Sequence, residues 1–133
     1  FLGDSIDGKD VIIIDDMISS GESILDTARQ LKLMNAKRVF ICATFGLFTN
    51  GLAAFDDAYD HCWIDRVITT NLTWQPQQLY SRPYYTMADM SKFMASIIDF
   101  MNHDVSMSHV MTPTDKINQI LTKYNNREEY HLL

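Results

Sequence analysis

Val11-Ile12-Ile13-Ile14-Asp15-Asp16-Met17-Ile18-Ser19-Ser20-Gly21-Glu22-Ser23 fixes the fold class of this chain. Four β-branched apolar residues in succession read as a strand buried on both faces, the pattern of a central parallel strand. Two carboxylates follow, then a short Ser/Gly loop, and then a helical pattern opens. A loop between strand and helix gathers backbone N–H groups at the positive end of the helix, which makes an anion site. Ser19, Ser20 and Ser23 add hydroxyl donors, and Gly21 lets the backbone turn close to a ligand. Asp15 and Asp16 would repel a phosphate at contact, so they are read as facing hydroxyls or a metal beside it. Two carboxylates next to a phosphate cradle point to a phosphorylated sugar. Read without a ligand, the same stretch is a solvated strand–turn–helix connection with Ser23 or Asp26 near the helix start.

The stretch resembles the phosphoribosyl-pyrophosphate-binding loop of type I phosphoribosyltransferase folds. That loop runs from an apolar strand through Asp-Asp and three small or variable residues to Thr/Ser-Gly-x-Thr/Ser, here Ser20-Gly21-Glu22-Ser23.

Working outward, elements alternate as in an α/β fold. Ile24, Leu25, Ala28, Leu31 and Met34 mark one helix face ending near Asn35, and Val39 to Thr44 is a second buried strand. A turn-rich Gly46 to Gly51 connection carries the exposed-looking Phe45 and Phe48, and Leu52 to Tyr59 makes a short helix. Arg66 to Asn71 gives a third strand, Trp74 to Pro83 a loop, and Tyr84 to Met87 a short edge strand. Met90, Phe93, Met94, Ile97, Ile98 and Met101 recur at helical spacing over Asp89 to Met101, a stripe read as core packing. Thr112 and Pro113 open a last helix striped by Ile117, Ile120, Leu121 and Tyr124. The expected fold is an open, mostly parallel twisted sheet with helices on both faces and an extra C-terminal helix. Its domains are residues 1–111 and an extension over 112–133. Ligands of such sheets sit at the C-terminal strand ends, where Asp15, Thr44 and Thr70 fall.

Composition narrows the function classes. The chain has 133 residues, 47% hydrophobic and 21% charged, as in ordinary globular proteins. A net charge of -6 with no basic run argues against a nucleic-acid surface. No apolar run approaches the ~18 residues of a membrane span. Cys42 and Cys62 lack metal-ligand spacing and read as buried, reduced thiols of a cytoplasmic protein. Starting at Phe1 and running directly into a core strand, the sequence reads as part of something longer. The four histidines share no ligand-like spacing, Asp56, Asp57 and Asp60 read as a solvated helix face, and Asp65 and Arg66 as a weak exposed pair; Phe45, Phe48, Trp63 and Trp74 read as core by default, with a nucleotide pocket or subunit contact as the alternative.

Later landmarks sharpen the resemblance to ribose-phosphate pyrophosphokinases over roughly residues 3 to 111. Thr44-Phe45-Gly46-Leu47-Phe48 is similar to their Thr-x-Gly-x-Phe segment, Thr70-Asn71 to their Thr-Asn, and Asp89-Met90-Ser91 to their Asp-hydrophobic-Ser. Asp104-Val105-Ser106-Met107-Ser108 is similar to their terminal spaced serines. The resemblance implies the C-terminal half of such an enzyme, which moves diphosphate from Mg-ATP to ribose 5-phosphate, giving phosphoribosyl pyrophosphate and AMP. It implies that Ser19, Ser20, Gly21, Glu22 and Ser23 hold the 5-phosphate. Asp15 and Asp16 would take the ribose hydroxyls and help orient Mg²⁺. It also implies a regulatory phosphate near Ser106 and Ser108, self-association into a homo-oligomer, and partnership with the N-terminal half. That half would supply the catalytic cations, since Lys9, Arg29, Lys32, Lys37 and Arg38 look like ordinary solvated charges and Arg82 lies in no motif. No catalytic residue is assigned within this chain, which by itself is expected to be inactive. The sequence departs from the pattern at Ser19, where many members carry Asp, and at Glu22, which puts a negative charge inside a phosphate loop. A non-catalytic binding or regulatory module, or a transferase acting on a base, are the alternative readings.

Overall fold

The computed structural model describes residues 5–104, 106 and 113–125, in two compact units, one running to Met90 and one starting at Ser91. The first unit is an α/β sheet of four parallel strands in the order β1-β2-β3-β4. Its elements are β1 (Asp10–Ile18), α1 (Glu22–Leu33), β2 (Arg38–Gly46), α2 (Ala53–Asp60), β3 (Arg66–Thr70), a 3₁₀ turn (Gln77–Ser81) and β4 (Tyr85–Ala88). The expected open parallel sheet with helices is present, but within the first unit α1 and α2 share one face, where helices on both faces were expected. The Trp74 to Pro83 segment, expected as plain loop, contains the 3₁₀ turn.

Sequential parallel strands joined by right-handed crossovers place successive helices on one face of the sheet. The burial pattern agrees. Ile24, Leu25, Ala28 and Leu31 of α1 and Phe55 and Ala58 of α2 share one core with Val39, Ile41, Val67 and Tyr85. Register explains this: Ile13, Ile41, Val67 and Tyr85 are lateral neighbours across all four strands and face the same side.

The row one residue further on, Ile14, Cys42, Ile68 and Thr86, lies on the opposite side. There Ile12 is 60% and Ile14 81% exposed. The Val11–Ile14 run was expected to be buried on both faces, and in this chain it forms an edge strand with one face covered. A continuous β-branched run marks a strand suited to two apolar environments, whichever of them the chain itself supplies.

The second unit contributes α3 (Ser91–Asn102) and α4 (Thr114–Asn125). Both expected helices form, but none of their described residues is buried. The stripe read as core is half-buried at Phe93, Met94 and Ile97 and exposed at Ile98 and Met101. The α4 stripe of Ile117, Ile120, Leu121 and Tyr124 is exposed as well. Ser106 lies among the described residues and Ser108 outside them. No helix of the described residues is long and apolar enough to cross a membrane.

Candidate functional site

β1 ends at Ile18, so Asp15 and Asp16 are still strand residues and the loop proper is Ser19-Ser20-Gly21. Two bonds hold its carbonyl side: Leu47 N donates to Ile18 O at 2.8 Å and Thr49 N to Ser19 O at 3.0 Å. Both carbonyls are thus engaged by the β2–α2 turn. The first bond of the helix runs from Leu25 N to Gly21 O at 2.9 Å, so Glu22, Ser23 and Ile24 precede any intrahelical acceptor. Only a long 3.5 Å contact, from Glu22 N to Ser20 Oγ, spans this opening. A twelve-residue helix adds its positive end to the same point.

Gly21 is fixed by two constraints. Its φ of 91° lies in the left-handed region, and a Cβ there would overlap Cε2 and Cζ of Phe55. Phe55 is fully buried and meets Phe48 edge-on, with centroids 5.1 Å apart. Phe48, exposed-looking in its turn but read as core by default, is 4% exposed because its ring packs on the backbone at Gly46, where a Cβ would lie 2.6 Å from it. The loop therefore rests on two rings packed edge to face.

Glu22 sits exposed with its Oε1 taking a long 3.4 Å bond from Asn50 Nδ2. Asp15 and Asp16 are both exposed, and Asp15 Oδ1 accepts the Asp16 backbone N–H at 2.8 Å. Asp15 also borders a trough of about 240 Å³ that includes Ile14, Cys42, Thr44, Thr70 and Ala88. The structure thus brings Asp15, Thr44 and Thr70 together in the C-terminal halves of three strands, with Asp15 three residues short of the end of β1. Cys42, which lines that trough, has its thiol pKa pushed up by burial, which lowers its thiolate fraction. Cys62, expected to be buried, is exposed, and both cysteines are free.

The Thr70-Asn71 and Asp89-Met90 landmarks also meet. Asn71 Nδ2 donates to Asp89 Oδ1 at 2.8 Å, and Asn71 Oδ1 accepts Met90 N at 2.9 Å. One asparagine so ties the end of β3 to the segment after β4.

Several cations have partners away from the loop. Arg38 forms a two-point pair with Asp10, and Arg29 lies over the Trp63 ring at 5.2 Å. Asp65, expected to pair with Arg66, instead accepts Lys32 Nζ at 3.1 Å and Val39 N at 2.8 Å, while Arg66 donates to Thr86. A third network has no motif or spacing that marks it. Arg82 binds Asp56 bidentately at 2.7 and 2.8 Å, and the buried Tyr84 hydroxyl donates to the same carboxylate at 2.7 Å. Asp56 is therefore a half-buried anchor, while Trp74, expected in the core, is 82% exposed.

Two predictions arise from that network. Asp56→Ala leaves the Arg82 guanidinium and the Tyr84 hydroxyl without their acceptor and is expected to destabilise the chain by about 2 kcal/mol, read by urea unfolding. Burial first, and the bond to Asp56 second, raise the Tyr84 pKa above its ordinary 10.0. A group whose folded pKa is raised contributes stability below its unfolded pKa and loses it as pH rises. The urea midpoint is thus expected to fall above pH 10.0, the ordinary tyrosine value. Tyr84→Phe should flatten that fall; an equally steep fall in the variant assigns it to other groups.

Among known proteins, a profile described as the phosphoribosyl synthetase-associated domain matches residues 1–112. The chain belongs to that family. Ribose-phosphate pyrophosphokinase of Vibrio parahaemolyticus is 31% identical over 107 residues, covering 80% of this chain and 33% of that protein. The enzyme of the same name from Haemophilus influenzae is 33% identical over 107 residues, with 80% and 33% covered. A crystal structure of phosphoribosylpyrophosphate synthetase from Mycobacterium smegmatis overlays with a TM-score of 0.66 at 26% identity, over 77% of this chain and 33% of that one. The chain thus spans about a third of the length of the relatives it matches. Within the phosphoribosyl synthetase-associated family, the Asp-Asp strand and Ser/Gly loop described above lie inside the matched residues.

Proposed function

We propose that this chain is the ribose 5-phosphate-binding part of a ribose-phosphate pyrophosphokinase. The observation that carries this reading is the loop geometry. Carbonyls of Ile18 and Ser19 are tied to the neighbouring turn, while the first α1 amides and the hydroxyls of Ser19, Ser20 and Ser23 remain beside two exposed carboxylates. That set suits a phosphate carried on a polyol. The amides and hydroxyls take the 5-phosphate, and Asp15 and Asp16 accept hydrogen bonds from the ribose hydroxyls. Held so, the 1-hydroxyl is oriented for attack on the ATP diphosphoryl group, and positioning supplies much of the catalysis.

Among the described residues no cluster of three or more His, Cys, Asp or Glu side chains forms a cage for a cation. The donor set still fits Mg²⁺, which is commonly held by one or two carboxylates together with substrate phosphates. Asp15 and Asp16 would hold it, and the ion would neutralise phosphate charge when bound.

The rest of the reaction calls for polypeptide beyond these residues. Relatives of which the matched stretch is only a third, and the exposed Ile12 and Ile14 on β1, both support a partner region of the same enzyme covering that strand. It would supply the ATP contacts and the cations over the phosphates. Cytoplasmic location, a homo-oligomeric state and a regulatory phosphate near Ser106 belong to the same proposal.

The test is calorimetric titration of the chain with ribose 5-phosphate and Mg²⁺, using a Ser20→Ala/Ser23→Ala variant as control. Saturable binding that weakens about tenfold in the variant is expected, as for loss of one to two hydroxyl donors. Binding unchanged in the variant moves the phosphate elsewhere. No binding by the folded chain, together with an inactive full-length enzyme, favours the non-catalytic module.

A further inference from the structure

We propose that Gln75 positions the anion loop, acting through Gly46; this rests on the reading of that loop as a phosphate site. Gln75 is 5% exposed, an unusual place for an amide side chain. Its Nε2 donates to Gly46 O at 3.0 Å and to Thr73 Oγ1 at 3.1 Å. Thr73 Oγ1 adds a longer contact to the same carbonyl at 3.5 Å. The Oε1 atom is buried without a hydrogen-bond partner. Burying an amide with one end unsatisfied is costly for a residue that only fills space, and an aliphatic side chain of the same volume would avoid that cost.

What the amide holds explains its presence. Gly46 closes β2 beside Ile18, its register partner. The next residue, Leu47, donates to Ile18 O, and Thr49 donates to Ser19 O. Gly46 also carries the Phe48 ring, which meets Phe55, whose ring fills the space a Gly21 Cβ would need. Two routes therefore lead from the Gly46 carbonyl to the anion loop. One runs through backbone hydrogen bonds to its entry at Ile18 and Ser19, and the other through two rings to its turn at Gly21. Gln75 clamps the point where they start. A shift of the turn would displace the Ser19 carbonyl and tilt the α1 amides away from a phosphate.

The test compares wild type with Gln75→Met. This substitution keeps the volume and removes both the donor and the orphan acceptor, so global stability should change little. Amide exchange followed by NMR is expected to quicken about fivefold at Leu47 and Thr49, the loss of roughly one hydrogen bond, with the amides of β3 unchanged. Titration with inorganic phosphate should shift the Ser19 to Ser23 amides, with affinity weaker by a similar factor in the variant. Unchanged exchange at Leu47 and Thr49, or equal phosphate affinity, overturns the proposal. If exchange responds while wild type shows no phosphate shift, the clamp stands and the phosphate reading fails. Should Gln75→Met lose cooperative unfolding, Gln75→Asn, which keeps an amide but is one methylene too short for Gly46, is measured instead. Loss of cooperative unfolding in both assigns Gln75 to core stability and overturns the proposal.

Discussion

Gly21→Ala is expected to be the most damaging alanine substitution among the described glycines, destabilising the chain by about 2–5 kcal/mol. Two costs add at this position. A non-glycine residue at φ 91° is strained by about 1–2 kcal/mol. The new Cβ must also displace the fully buried Phe55 ring, an overpacking worth about 1–3 kcal/mol. Phe55 cannot yield freely, because Phe48 packs against it and against Gly46. Urea unfolding followed by circular dichroism is the measurement, and a loss of this size should lower the midpoint by about 1–2 M. Gly8→Ala is the internal control: it shares a positive φ of 67°, but a Cβ there meets nothing within 4 Å. It should therefore carry the strain cost alone. Equal losses in the two variants would show that Phe55 moves aside and that the loop does not depend on its aromatic seat.

The comparison of Gly21 with Gln75 shows what the sequence discloses and what it conceals. Strand, carboxylates, loop and helix from Val11 to Leu33 were legible because each is a local pattern: a β-branched run, a Ser/Gly turn and a 3.6-residue stripe. The α/β class followed from their alternation, and strand ends differed from expectation by only a few residues. The carboxylates lie further inside β1 than expected because the parallel ladder continues to Met17 and Ile18. Contacts between distant positions left no such trace. Arg82 and Asp56 are 26 positions apart and Gln75 and Gly46 are 29, with no period or motif joining them. Asp56 resembled its exposed neighbours Asp57 and Asp60 until β4 and the 3₁₀ turn brought Arg82 and Tyr84 to it. Trp74 was misplaced for the converse reason: its size suggests burial, but the loop that carries it buries Gln75 instead. The stripes of α3 and α4 were identified correctly as helical, yet periodicity names an apolar face without naming what covers it.

Asp16→Ala in the complete polypeptide carrying this chain is expected to abolish most diphosphoryl transfer while leaving the fold intact. Asp16 is exposed, and none of its side-chain atoms forms a described hydrogen bond or ion pair, so removing the carboxylate costs the folded state little. In the proposed site the same carboxylate accepts a ribose hydroxyl and helps hold Mg²⁺. Loss of a charged acceptor is worth about 1.5–3 kcal/mol, or roughly 10- to 100-fold in kcat/KM, before any effect on the cation. Asp15→Ala differs, because Asp15 Oδ1 also accepts the Asp16 N–H, so that variant mixes a backbone effect with the ligand effect. Asp16→Asn separates geometry from charge: an amide still accepts from a hydroxyl but binds Mg²⁺ poorly. If Asn restores activity at saturating Mg²⁺, the hydroxyl contact dominates; if it matches Ala throughout, the charge does. Wild-type turnover in Asp16→Ala would make the paired carboxylates structural and remove the sugar from the loop.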